Sequence, residues 1–76
     1  MSAQNAPHII DGRDLQPPEP LELTMAALDT LGPDDELLLL LYWEPHPLYA
    51  VLRRNGYRYS CELRDHGTNA IRISKA

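Results

Sequence analysis

The chain has no phenylalanine, one tryptophan, one cysteine and one lysine. A lone cysteine, Cys61, excludes an internal disulfide and any thiolate-built metal centre, so the core has to come from Leu, Ile, Val, Tyr and Met. That usage fits a reducing, cytoplasmic setting. Long apolar runs are also missing. The longest, Leu37 to Trp43, falls far short of the about 20 residues a membrane helix needs, and Met1 to Pro7 has neither the basic start nor the apolar stretch of a secretion signal. Positive charge is scarce: seven basic against eleven acidic residues give a net charge of −4, which argues against wrapping nucleic acid. The basic set is six Arg with only Lys75. Arginine favours planar, bidentate contacts and so points mildly to a protein partner, with ordinary surface arginines as the plainer reading.

Seventy-six residues make one small domain, near the lower limit for an independent core. Residues 1–7 are small or polar without a period and are expected to fray, leaving residues 8–76 as the domain. His8 to Asp11 is a short apolar run ending at a glycine, which predicts a strand. Pro17, Pro18 and Pro20 cannot occupy a helix interior or a central strand. The first helical turn accepts them because its amides are unpaired in any case, so a helix starts there. Leu21, Thr24, Met25, Leu28 and Leu31 recur at helical spacing as its buried face, Glu19 and Glu22 complement its dipole, and Gly32-Pro33 ends it, the glycine as a left-handed cap.

Five consecutive leucines within Glu36 to Trp43 have helical propensity, but the run is short, apolar throughout and bounded by turn signals, as expected of a strand buried in a partly parallel sheet. Pro45 and Pro47 repeat the proline device ahead of a second helix, about Pro47 to Asn55. This helix buries Leu48, Val51 and Leu52, carries Arg53 and Arg54 in its last turn and ends at Gly56. Tyr57, Tyr59, Cys61 and Leu63 alternate with polar residues, as do Ile71 and Ile73, giving two strands around a hairpin loop at Asp65 to Asn69. Placing Glu62 opposite Arg72 keeps the apolar sides together and pairs opposite charges. The order is β-α-β-α-β-β. Right-handed crossovers put both helices on one side of a four-stranded mixed sheet, an α+β two-layer sandwich with both helix starts at one end.

At that end the sequence gathers Asp11, Arg13, Asp14, Glu19, Glu44 and His46. A histidine with carboxylates such as Asp11 and Glu19 is a donor set for a divalent metal, but one histidine is few. The plainer expectation has Arg13 paired with Asp11 or Glu19, His46 capping the second helix or paired with Glu44, and no metal or cofactor. No Gly-rich phosphate loop, Ser-His-Asp order or zinc spacing is present, so an enzyme is not expected. Two contact surfaces are. One is the open sheet face, where Leu38, Leu40 and Tyr42 stand beside Arg58, Arg64 and Arg72, apolar surface bordered by arginine; a second copy of the chain is one occupant for it. The other is the proline-loop end, with Trp43, Tyr49 and Arg13 as anchors, partial core burial of Trp43 and Tyr49 being the equal alternative. The alternation of Cys61 with Tyr59 and Leu63 points its thiol into the core, as an inert structural cysteine.

The element order together with Asp11-x-Arg13, Pro18-Glu19-Pro20-Leu21, Leu28-Asp29-x-Leu31, Glu36-Leu37, Glu44-Pro-His-Pro-Leu-Tyr49 and Gly56-Tyr57 resembles the TusA/SirA sulfur-carrier superfamily, from Ile9 to Ser74. It is most similar to a bacterial TusA-like branch of unassigned function, some of whose members are joined to haemerythrin-like iron proteins. In the carriers the loop reads Cys-Pro-x-Pro, and the Cys at a helix start carries persulfide sulfur. Pro17 occupies that position here, so the resemblance implies the scaffold without the chemistry. The expectation is a non-catalytic, cytoplasmic interaction module with a place in sulfur or iron-linked redox metabolism. Sulfur transfer through Cys61, or ligand binding at the helix starts, are the alternatives.

Overall fold

Two strand–proline loop–helix units, laid side by side, set the architecture. The computed structural model of the chain describes residues 8–75, so the expected frayed segment 1–7 lies outside the described residues. In chain order the elements are β1 (His8–Asp11), α1 (Glu19–Asp29), β2 (Glu36–Leu41), α2 (His46–Arg54), β3 (Tyr57–Leu63), a 3-10 turn (Asp65–Gly67) and β4 (Asn69–Lys75). The sheet order is β1-β2-β4-β3, with β1 parallel to β2 and β4 antiparallel to both β2 and β3. This is the expected α+β arrangement of a four-stranded mixed sheet with two helices.

The leucine run is a central strand, and it supplies much of the core. Leu37, Leu39 and Leu41 are buried, while Leu38 and Leu40 on the opposite side are half-buried. They meet Leu28 and Leu31 from the first unit, Leu48 and Leu52 from α2, and Ile71 and Ile73 from β4. Each such side chain contributes about 1.5–3 kcal/mol when taken from water. Thr24, also fully buried on α1, donates its hydroxyl to the Pro20 carbonyl at 2.8 Å.

Four local expectations are corrected. Met25 is exposed and Pro20 takes its place in the buried row, because Pro20, Thr24 and Leu28 follow one another at four-residue steps along the covered side of α1 and Met25 lies one residue, about 100°, off that row. Gly32 is not a left-handed cap. Thr30 caps α1, and Gly32 is small because Asp35 folds back to accept its N–H at 2.8 Å, where a Cβ would sit 2.8 Å from the same oxygen. Gly56, at φ +78°, does end α2 as expected.

The β3–β4 register is the third. Glu62 lies opposite Ala70 and Ser60 opposite Arg72. His66 (φ 63°) and Gly67 (φ 74°) turn the chain within three residues, and the Arg64 N–H closes the hairpin on the Thr68 carbonyl at 2.7 Å. The tighter turn slides the pairing by two residues, and Arg72 finds its carboxylate across β2 instead, at Glu36 (3.2 Å).

The fourth concerns Cys61, which is exposed. It faces the helix layer in register with buried Ile71, as alternation requires, and Tyr49 of α2 comes beside it without covering it. Seven residues of β3 span about 24 Å at 3.4 Å per residue, whereas nine residues of α2 span about 14 Å. The strand overruns its helix, and Leu63 beyond Cys61 is 72% exposed.

Candidate functional site

Both helices start without a side-chain cap, and prolines fill the cap and the second helical position at each: Pro18 and Pro20 for α1, Pro45 and Pro47 for α2. Most of the amides that would otherwise be free are absent or used, the Leu21 N–H of α1 being the exception. Glu19 donates to the Gln16 carbonyl, His46 to Glu44, and Leu48 and Tyr49 both to Pro45, while Pro20 and Pro47 have no N–H. The paired helix starts therefore present mostly hydrocarbon, with few donors left for an anion. Between them lies an apolar groove of about 210 Å³ lined by Pro17, Pro18 and Leu21 from the first unit and by Trp43, Pro45, Pro47 and Leu48 from the second. Trp43, just past the end of β2, is 38% exposed.

The first loop is held by Gly12 and by an ion pair. The Gly12 N–H donates to the Leu40 carbonyl at 2.8 Å, and a Cβ on Gly12 would lie 2.8 Å from a Leu41 methyl and 3.2 Å from the Pro20 ring. The next turn is tied by Arg13, whose guanidinium donates to both Asp11 oxygens at 2.8 and 2.6 Å and whose backbone N–H adds a third bond at 3.2 Å. Those hydrogen bonds hold the Asp11 carboxyl down to about 2 and raise the Arg13 guanidinium further above its usual range. The pair sits in solvent, so its contribution is local order rather than much global stability.

A carboxyl whose folded value is below its unfolded one stabilises the fold above about pH 4, and that stabilisation is lost as pH falls through about 2. Arg13→Gln removes the guanidinium and keeps the backbone N–H, so the Asp11 midpoint is expected to rise from about 2 part of the way toward 3.8, read by carboxyl-carbon NMR titration. A midpoint left at about 2 in that variant would show that the Arg13 guanidinium is not the cause.

The second loop is held from beneath by Tyr49. This residue is only 7% exposed, stacks on Tyr59 at 4.6 Å between centroids, meets the His46 ring edge-on at 5.6 Å, and donates its hydroxyl to Glu44 at 3.1 Å. Burial pushes the Tyr49 phenol well up, with the neighbouring Cys61 thiol and Glu44 carboxylate adding to the shift, so it stays a neutral donor. His46 lies 3.7 Å from Glu44 and does not cap α2, so of its two expected roles it takes the pairing.

Several expected site residues thus change role. Pro17, Pro18 and Trp43 do line one surface. Pro20 and Tyr49 are buried supports rather than contact residues, and Arg13 is committed to Asp11. Glu19 is exposed at the start of α1. Among the described residues no three His, Cys, Asp or Glu side chains converge as a metal site, so Asp11, Glu19 and His46 do not form the donor set considered from sequence. On the open sheet face, Ile9, Leu38 and Arg72 share one register row and Asp11, Leu40 and Ala70 another, while Tyr42 lies past the strand end and is exposed. Arg58 stands beside Ser74 on that face, and Arg64 follows β3 within 3.4 Å of Glu62.

Leu21, Pro45, Pro47 and Leu48 were not anticipated as site residues. The signal was present in the repeated Pro-x-Pro, Pro18-Glu19-Pro20 and Pro45-His46-Pro47. Two loops of one design, brought together by parallel strands, build two walls of one groove.

The fold and site define a small two-layer α+β domain with an apolar groove framed by twin proline-led helix starts. Residues 9–75 match the family described as "Uncharacterized conserved protein (DUF2249)", and the chain belongs to that family. No curated protein and no solved structure matches it. Among the described residues no helix is long and apolar enough to cross a membrane.

Proposed function

We infer that the chain is a non-catalytic docking module whose groove between the helix starts takes an apolar side chain of a protein partner. The observation that carries this is the groove itself: about 210 Å³ and seven apolar residues, with Trp43 as its exposed aromatic wall. An apolar cavity of about 150 Å³ holds a benzene ring, so the space suits one large aliphatic or aromatic side chain. Aromatic residues in such settings dominate interface energetics. The resemblance to the TusA/SirA carriers supports a bacterial, cytoplasmic setting in sulfur or iron-linked redox metabolism. Pro17 at the position of the carriers' thiol supports docking over chemistry.

A second reading, sulfur transfer through Cys61, gains support from its exposure beside Tyr49, at the end of the domain where α2 starts. One experiment separates the two. A partner captured by the wild type should be lost on Trp43→Ala, which costs about 2 kcal/mol or more, roughly thirtyfold in affinity, and kept on Cys61→Ser. Capture that survives Trp43→Ala, with a mass gain of about 32 Da (one sulfur) from a persulfide donor that disappears in Cys61→Ser, would replace docking with transfer.

A further inference from the structure

The edge of the sheet formed by β3 carries a separate message. Edge strands expose unpaired backbone groups, and proteins shield them with short length, prolines or bulges. The opposite edge, β1, has four residues; β3 has seven, without a proline, and pairs in unbroken register with β4 from Tyr57 to Leu63. Among the described residues no strand lies on its other side.

The phase of its free groups follows from the hairpin. Arg64 donates to the Thr68 carbonyl at the closing pair. Hydrogen bonding alternates along an antiparallel pair, so the even residues Arg58, Ser60 and Glu62 bond to β4. Tyr57, Tyr59, Cys61 and Leu63 then turn their N–H and C=O groups outward.

We propose that β3 pairs antiparallel with β3 of a second copy about a two-fold axis at Ser60, giving one continuous eight-stranded sheet. The sequence Arg58-Tyr-Ser60-Cys-Glu62 is self-complementary in that register. Arg58 lies opposite the partner's Glu62 twice over, in the pairs without hydrogen bonds, where side chains approach closest. Tyr57 lies opposite the partner's Leu63, which covers the most exposed large apolar side chain of the described residues. Cys61 lies opposite the partner's Tyr59. Arg64 falls opposite the partner's Gly56, whose Cβ direction is open space.

Arg58 is free for this contact, being in none of the ion pairs among the described residues, and the Arg64–Glu62 pair is an exposed one of little strength. Neighbouring registers fit worse. An axis at Cys61 sets Arg58 against the partner's Arg64, and an axis at Tyr59 leaves Glu62 facing Gly56. A second copy rather than an unrelated strand is the occupant because the charge pattern complements itself. A two-fold contact is also the commonest form of self-association.

The contact is small, so association should be weak and visible by sedimentation velocity between about 10 µM and 1 mM of the whole chain. Glu62→Arg or Arg58→Glu alone places like charges opposite each other twice and is expected to weaken the dimer roughly tenfold or more. The double variant, or an equimolar mixture of the two single variants, restores it because opposite charges again face each other. In a Cys61→Ser background, Ser60→Cys is expected to form an intermolecular disulfide on mild oxidation, since facing residues at such a pair have Cα atoms about 4.5 Å apart. A monomer throughout the concentration range overturns the proposal. So does a dimer indifferent to both charge reversals but abolished by Ile9→Asp, which moves the contact to the open sheet face. Circular dichroism of each variant separates loss of pairing from loss of fold.

Discussion

Leu39→Ala is expected to remove about 2–5 kcal/mol of stability, the usual range for emptying a fully packed leucine site. A domain of 76 residues holds roughly 4–11 kcal/mol in all, so this one change takes a large fraction of it. Leu39 is 1% exposed at the middle of β2, with Ile10 and Ile71 facing it in register from either side. Neither neighbour can move into the gap without leaving its own ladder, so the cavity stays open. Urea unfolding followed by circular dichroism should show a lower midpoint with an unchanged slope. Leu38→Ala, on the half-buried opposite face, should cost about 1 kcal/mol or less. Equal losses at the two positions would mean that the helices do not cover the side to which Leu39 points.

Gly12→Val should be the most damaging change at the rim, costing about 1–3 kcal/mol through overpacking. Its first side-chain atom already overlaps Leu41 and crowds Pro20, and the Gly12 N–H is tied to the Leu40 carbonyl, so the loop cannot step aside without breaking that bond. The strain is relieved most readily by lifting the start of α1. That movement draws Pro17, Pro18 and Leu21 away from Trp43 and opens the groove. Because Trp43 is the chain's only tryptophan, its emission should shift to the red in the variant before any denaturant is added. Unchanged emission together with unchanged stability would show that the loop accommodates the side chain and that Gly12 does not set the groove. Gly32→Ala is the milder comparison, since the new methyl would meet only the end of the Asp35 side chain.

Most of the fold was legible because its signals are local. The five leucines between turn residues, the prolines that admit only a first helical turn, and the positive φ at Gly56 each reflect backbone sterics within a few residues. The site was legible only in part. Pro17, Pro18 and Trp43 were expected at one end and share one surface there, whereas Tyr49, which the sequence left open between contact residue and partial burial, is a buried support. A buried and an exposed aromatic have the same letter, and burial depends on what packs above it. Cys61 shows the same limit. Alternation correctly predicted the side of the sheet, but whether that side is covered depends on the reach of α2 relative to β3.

By itself the sequence determined the element order, the two helix starts, the layer to which each strand residue points and the absence of a thiol at the proline loop, all consequences of dihedral preference and of periods of two and 3.6 residues. Only the tertiary structure decided that the two proline loops close into one groove, that β3 slides by two residues against β4, and that Cys61 lies open. Those outcomes depend on distances between segments far apart in the chain, which no local preference encodes.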